Sequence, residues 1–146
     1  MPEINVKIVK LDSTVPTPAY QTAGSAGCDA HSAKDLTILP GEKVLVPTGL
    51  RMEIPEGFEC QIRPRSSLAL KKGVVVFNTP STIDADYRGE VGILLINTSD
   101  VPFAIQKGDR IAQFVFAPVT VARFQEVPEL SDTTRGTGGW GSTGTR

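Results

Sequence analysis

Five short stretches carry residues that a hydrophobic core does not need. In Ala23-Gly24-Ser25-Ala26-Gly27-Cys28-Asp29-Ala30, small residues lead up to an aspartate. Their lack of bulk allows close backbone approach to a partner, although a tight loop before a strand would use the same residues. Arg63-Pro64-Arg65-Ser66-Ser67 precedes a helix-forming run. There the free N–H groups of a helix start favour an anion, and Arg65 can grip phosphate with two parallel hydrogen bonds. Ordinary serine capping beside a solvated arginine is the plainer alternative. The third stretch, Asn78-Thr79-Pro80-Ser81-Thr82-Ile83-Asp84-Ala85-Asp86-Tyr87-Arg88-Gly89-Glu90, groups an amide, carboxylates and an aromatic ring. If extended, it puts Asp84 and Asp86 on one face, where they could hold a cation. A calcium loop counted from Asp84 fails, because Arg88 and Leu95 fall on ligand positions even though Gly89 suits the turn. What survives is a hairpin bearing those side chains, or a polar turn. Gly108-Asp109-Arg110-Ile111-Ala112-Gln113 is a turn into a strand, with Gln113 facing whichever side the register decides. Last, Arg135-Gly136-Thr137-Gly138-Gly139-Trp140-Gly141-Ser142-Thr143-Gly144 looks like a phosphate-binding P-loop but has no lysine and no helix after it. Its glycine N–H groups, hydroxyls and Arg135 still suit a polyphosphate, and Trp140 could stack on a ring. A disordered low-complexity tail would have the same composition.

The elements that must position these residues are mostly strands. Ile4-Val6-Ile8 alternate with Asn5, Lys7 and Val9, and Glu42–Val46, Phe58–Ile62 and Ile111–Phe116 are further strand-length runs. Pro40-Gly41, Pro55-Glu56-Gly57 and Lys107-Gly108-Asp109 separate them as turns. Val91–Ile96 is continuously apolar and predicts a strand covered on both faces. Only Ser66–Gly73 reads as helix, with a serine cap, cationic last turn and glycine stop. Short strands with frequent turns predict an all-β sandwich or barrel with one short helix. From Ser131 the chain loses its hydrophobic residues apart from Trp140, which divides it into a domain over 1–130 and a Gly-rich arm over 131–146.

Composition agrees and removes several functions. The 14 glycines and 11 prolines in 146 residues exceed the usual combined share of about 12% and argue against long helices. Fifteen basic and 16 acidic residues leave a net charge of −1, so there is no electrostatic footprint for nucleic acid. No apolar run is long enough to cross a bilayer, and the first residues lack a signal-peptide layout. Cys28 and Cys60 are too few for a disulfide framework, which predicts buried small hydrophobes in a reducing, cytoplasmic compartment. With His31 as the only histidine, a thiolate zinc site is excluded.

Taken in chain order, the five stretches resemble the five motifs of the trimeric dUTP pyrophosphatases (dUTPases), over Ala23–Ala30, Pro64–Leu68, Asn78–Glu90, Gly108–Gln113 and Arg135–Gly144. The resemblance implies a jelly-roll-like β fold with a flexible C-terminal arm. It implies Mg²⁺-assisted hydrolysis of dUTP to dUMP and pyrophosphate, keeping uracil out of DNA and supplying dUMP for thymidylate synthesis, at sites shared within a homotrimer. Asp84 would activate the attacking water and receive the 3′-hydroxyl, and Tyr87 would exclude a 2′-hydroxyl. Asn78 and main-chain groups of the hairpin would read the uracil edge. Arg65, Ser66 and Ser67 would hold phosphates with Gln113 nearby, and Asp29 would meet Mg²⁺ through water. Arg135, Ser142 and Thr143 would close on the γ-phosphate while Trp140 covers the base. Trp140 stands where the family usually has phenylalanine. Ser81 stands where glycine is common, which would strain the chain if that position needs a positive φ. A dCTP deaminase would share the fold, but Val91–Asn97 lacks the glutamate that chemistry needs. A non-catalytic jelly-roll binding module would explain the strands but not five ordered motifs.

Overall fold

Alternating apolar residues pair into ten strands and one helix in the computed structural model, which describes all 146 residues. They are β1 (Lys7–Lys10), β2 (Cys28–His31), β3 (Leu36–Ile38), β4 (Lys43–Glu53), β5 (Phe58–Arg63), α1 (Ser66–Lys72), β6 (Val74–Val76), β7 (Ser81–Ile83), β8 (Glu90–Asn97), β9 (Phe103–Ile105) and β10 (Arg110–Pro118). Two four-stranded sheets, ordered β1-β4-β8-β6 and β2-β10-β5-β7, and the small pair β3-β9 are antiparallel throughout. The core lies between the sheets, where Val46, Ile93 and Leu95 meet Cys60, Ile62, Ile111 and Phe114. No helix is long and apolar enough to cross a membrane.

Several expectations change. The first strand starts at Lys7 instead of Ile4, and all four of its residues are exposed because it is an edge strand. β8 buries Val91, Ile93, Leu95 and Asn97, whereas Gly92, Leu94 and Ile96 on the other face are only half-covered. Its apolar run therefore does not mean burial on both faces in a single chain. Asn78–Glu90 is not a hairpin: β7 pairs with β5 and β8 pairs with β4 and β6, so the stretch crosses from one sheet to the other. Nor do Asp84 and Asp86 share an extended face, because Tyr87 N–H donates to Asp84 O and closes a turn. The helix has no serine cap. Ser66 is already inside it, and extended Arg65 is the cap residue, with no side-chain cap bond. Gly73 does end α1, in the left-handed conformation (φ 64°) that lets its N–H reach the carbonyls of Ala69 and Leu68.

Two polar networks fasten the loops. Asn97 is fully buried and uses its whole amide: Nδ2 donates to Ile38 O (2.9 Å) and Val101 O (2.8 Å), and Oδ1 accepts from Ser99 N (2.9 Å) and Ser99 Oγ (2.7 Å). Asn97→Leu leaves two carbonyls without these donors, so stability measured by urea unfolding should fall by about 2–4 kcal/mol. Lys107 pairs with Asp12 and joins the β9–β10 turn to the loop after β1. That pairing, with hydrogen bonds from Thr14, holds the Asp12 carboxyl well below its ordinary range. A depressed carboxylate contributes stability above its unfolded pKa of about 3.9 and loses it as pH falls further. Asp12→Asn should therefore flatten the acid limb of a stability-against-pH curve, and an unchanged limb would show that the pair contributes nothing.

Both cysteines are free and buried, as expected. Cys28 faces Phe114 and Cys60 faces Phe116 across the intervening strand β10. Two strand spacings, about 9.5 Å, and a two-residue offset along β10 keep them beyond disulfide reach. Burial pushes the Cys60 thiol up to about 12, so it stays protonated and inert.

Candidate active site

The expected site residues fall into three groups. The first is gathered where β2, β10 and the end of β5 meet. Sheet register sets Gln113 opposite both Asp29 and Arg63, and Arg110 opposite His31. The Asp29 side chain is 11% exposed and faces Arg65 Nε at 3.6 Å and Arg110 Nη1 at 3.4 Å. Gln21 Nε2 donates to the same carboxylate at 2.8 Å. Arg65 Nη1 donates to Arg110 O at 3.0 Å, which leaves its Nη2 unengaged. Ser66 and Ser67 follow, exposed in the first helical turn, where backbone N–H groups have no helical acceptor. Gln113 Nε2 donates to Pro64 O at 2.9 Å. His31 borders this cluster with Nδ1 buried and unpartnered. Burial holds its imidazole below the ordinary value, while neighbouring Asp29 opposes that shift.

The second group surrounds a cavity of about 700 Å³ that opens between the sheets. Ser81–Asp84 and Tyr87 form one wall, and Leu36, Pro47 and Gly92 contribute to another. The β4 bulge shapes the rim: Thr48 Oγ1 donates to Val91 O (2.6 Å), and Gly49 N–H donates to Glu90 Oε1 (2.9 Å). Tyr87 folds back over the bare backbone of Gly89, its hydroxyl donating to Glu90 O at 2.9 Å. Asp84 is exposed at the cavity and takes part in none of the ion pairs. Asn78 lies outside the cavity lining, with its amide 3.4 Å from Ser81 Oγ. Ser81 has no positive φ, so serine is unstrained there.

The third group is the arm. No strand follows Pro118. Residues 133–144 form successive turns, with Arg135 Nε donating to Gly138 O at 2.7 Å. Arg135, Trp140, Ser142 and Thr143 are exposed, and Trp140 has a positive φ of 51°. Nothing in the chain brings these residues to either of the other groups.

Gln21 and Arg110 were not singled out from the sequence. Gln21 is eight residues from Asp29, and no spacing rule links a loop amide to a strand carboxylate. For Arg110 the usable signal was its place two residues past a turn glycine, but its partner became visible only with the β2–β10 register.

The profile of the dUTPase family matches residues 13–144. The chain belongs to the dUTPase family. Among curated dUTPases, the deoxyuridine 5′-triphosphate nucleotidohydrolase of Nautilia profundicola is 57% identical over 141 residues, covering 97% of this chain and 99% of the relative. That of Brucella melitensis is 58% identical over 132 residues, covering 88% and 84%. The Staphylococcus bacteriophage 80alpha dUTPase, solved with dUpNHpp, superposes with a TM-score of 0.89 at 27% identity, covering 97% of this chain and 99% of that one. A point mutant of the phage phi11 dUTPase, whose structure describes a structural Mg(II) ion, shares the fold at a TM-score of 0.80 and 24% identity, covering 88% and 100%. The jelly-roll-like expectation therefore holds for this dUTPase-family chain.

Proposed function

We propose that the chain hydrolyses dUTP to dUMP and pyrophosphate. The observation that carries this reading is the cavity of about 700 Å³ with Asp84 unpaired at its wall and Tyr87 anchored beside it, in a chain of the dUTPase family. A carboxylate without a cationic partner is free to accept a proton from water. Asp84 takes that proton as the water oxygen bonds to the α-phosphorus. The bond from that phosphorus to the α,β-bridging oxygen breaks, and pyrophosphate leaves. Asp84 also receives the 3′-hydroxyl, while the fixed Tyr87 ring leaves no room for a 2′-hydroxyl. Backbone groups near Asn78 and Ser81 pair with the uracil edge, so that a wrong base leaves buried polar groups unpaired.

Arg65, Ser66 and Ser67 grip the phosphates, with Gln113 beneath them. No three His, Cys, Asp or Glu side chains are grouped to cage a metal. The Asp29 carboxylate suits Mg²⁺, which keeps its waters and binds chiefly through substrate phosphates, and Asp29 would meet it through water. When bound, Mg²⁺ offsets the triphosphate charge. Residues 131–146 act as a lid, with Arg135, Ser142 and Thr143 on the γ-phosphate and Trp140 over the base.

Register supports a site shared between copies in a homotrimer. Cys60 pairs with Ile83, which sets Asp84 level with Glu59. Arg63, the last residue of β5, lies four residues further along, about 13 Å at strand rise, and Arg65 lies beyond it in the turn to α1. The α-phosphorus beside Asp84 is therefore well separated from Arg65 of the same chain, which favours a phosphate grip supplied by a neighbouring copy. The free buried cysteines suit a reducing, cytoplasmic setting.

The deciding experiment supplies Mg²⁺ with dUTP, dCTP, dTTP or UTP separately and measures pyrophosphate and ammonia. Pyrophosphate from dUTP alone is expected. Ammonia from dCTP would move the chain to deaminases, and no product from any of the four would leave a binding module.

A further inference from the structure

We propose that Gln113 and Gly27 form a latch on the Pro64 carbonyl, making Gln113 a positioning residue for the Arg65–Ser67 corner. The proposal rests on the reading of that corner as the phosphate grip. β5 ends at Arg63 and α1 starts at Ser66, so Pro64 belongs to neither ladder nor helix. No backbone donor reaches its carbonyl, and the Gln113 amide at 2.9 Å is the donor it has. Gln113 comes from β10, the strand between β2 and β5, so this bond fastens the corner to the middle of the sheet. Arg65 is steadied from the same strand through Arg110 O.

Gly27 holds the other side of the amide. A Cβ there would collide with Gln113 Oε1 and stand 3.0 Å from its Cδ and 3.3 Å from its Cβ. Gly27 has no positive φ, so alanine suits its backbone. The glycine is required by the space the amide occupies, not by the turn. Gly27→Ala therefore acts by pushing the end of a flexible side chain away from Pro64. Gln113→Leu removes the donor and keeps the bulk. Both changes free the same carbonyl, and the Pro64–Arg65 peptide can then swing and carry the Ser66 and Ser67 N–H groups with it.

The test uses the full chain, comparing wild type, Gly27→Ala, Gln113→Leu and the double variant, with dUTP kinetics, dUMP affinity by calorimetry and thermal melts. Each single variant should melt cooperatively and lose about 10- to 100-fold in kcat/KM, as expected for misplaced positioning groups. dUMP lacks the β- and γ-phosphates and is held mainly by its uracil and sugar in the cavity, so its affinity should stay within about twofold, a factor worth under half a kcal/mol. The double variant should be no slower than the worse single one, because both break one contact. Additive losses would overturn the latch, as would a Gly27→Ala variant as fast as wild type, or dUMP affinity falling in step with kcat/KM. A wild type inactive on dUTP overturns the functional reading and the latch with it. An active wild type with unimpaired variants overturns the latch alone.

Discussion

Asp84→Asn should lower kcat for dUTP by about 10²–10⁴-fold, the usual contribution of a positioned general base, while the nucleotide still binds. Asparagine keeps the size and the capacity to accept from the 3′-hydroxyl but cannot take the proton of the attacking water. Because Asp84 is exposed and joins no ion pair, the exchange breaks no salt bridge, and the melting temperature should not move. Single-turnover kinetics with dUTP and calorimetry with a non-hydrolysable analogue separate the chemistry from binding. A variant within a few-fold of the wild-type rate would remove Asp84 from the proposed mechanism. It would leave a different group, or hydroxide alone, to activate the water. The binding-module alternative makes the opposite forecast, since a site without turnover has no use for the carboxylate's basicity.

Truncation after Ser131 should leave the fold intact and reduce turnover by about 10³-fold or more, on the scale of an arginine supplied to a phosphoryl transition state. The fold should survive because β10, the last strand, ends at Pro118 and the core cluster contains no residue from the arm. Turnover should fall because Arg135, Ser142 and Thr143 are the arm's candidates for the γ-phosphate. Arg135→Ala in the full chain should account for most of that loss. Trp140 is solvent-exposed and is the single tryptophan, so its fluorescence should change when a dUTP analogue is added and remain constant with UTP. Loss of cooperative melting on truncation would contradict the lid assignment, because the arm would then be a structural part of the domain.

Local chemistry made much of this protein legible before any fold was known. Gly57 and Gly108 mark turns because only residues that tolerate a positive φ do so readily, and both adopt one (85° and 90°). The long strands β5 and β10 follow from period-two alternation, and α1 from its helix formers and glycine stop. The five motifs were visible because their residue types are unusual where they stand. Three-residue strands such as β3, β6, β7 and β9 were not visible, since pairing across the sheet stabilises them more than any propensity within three residues. The same reason explains the misreading of Asn78–Glu90. Its turn residues suit a hairpin, and only long-range pairing sends β7 to β5 and β8 to β4. Residue type marked Asp29, Arg65 and Gln113 as polar residues to account for. That Asp29 joins Arg65, Arg110 and Gln21, and that Gln113 meets Pro64 and Gly27, is a matter of register between strands far apart in sequence. A shift of one residue would turn the strand side chains Asp29, Arg110 and Gln113 to the opposite face, so packing of the sheets decides which motifs become neighbours.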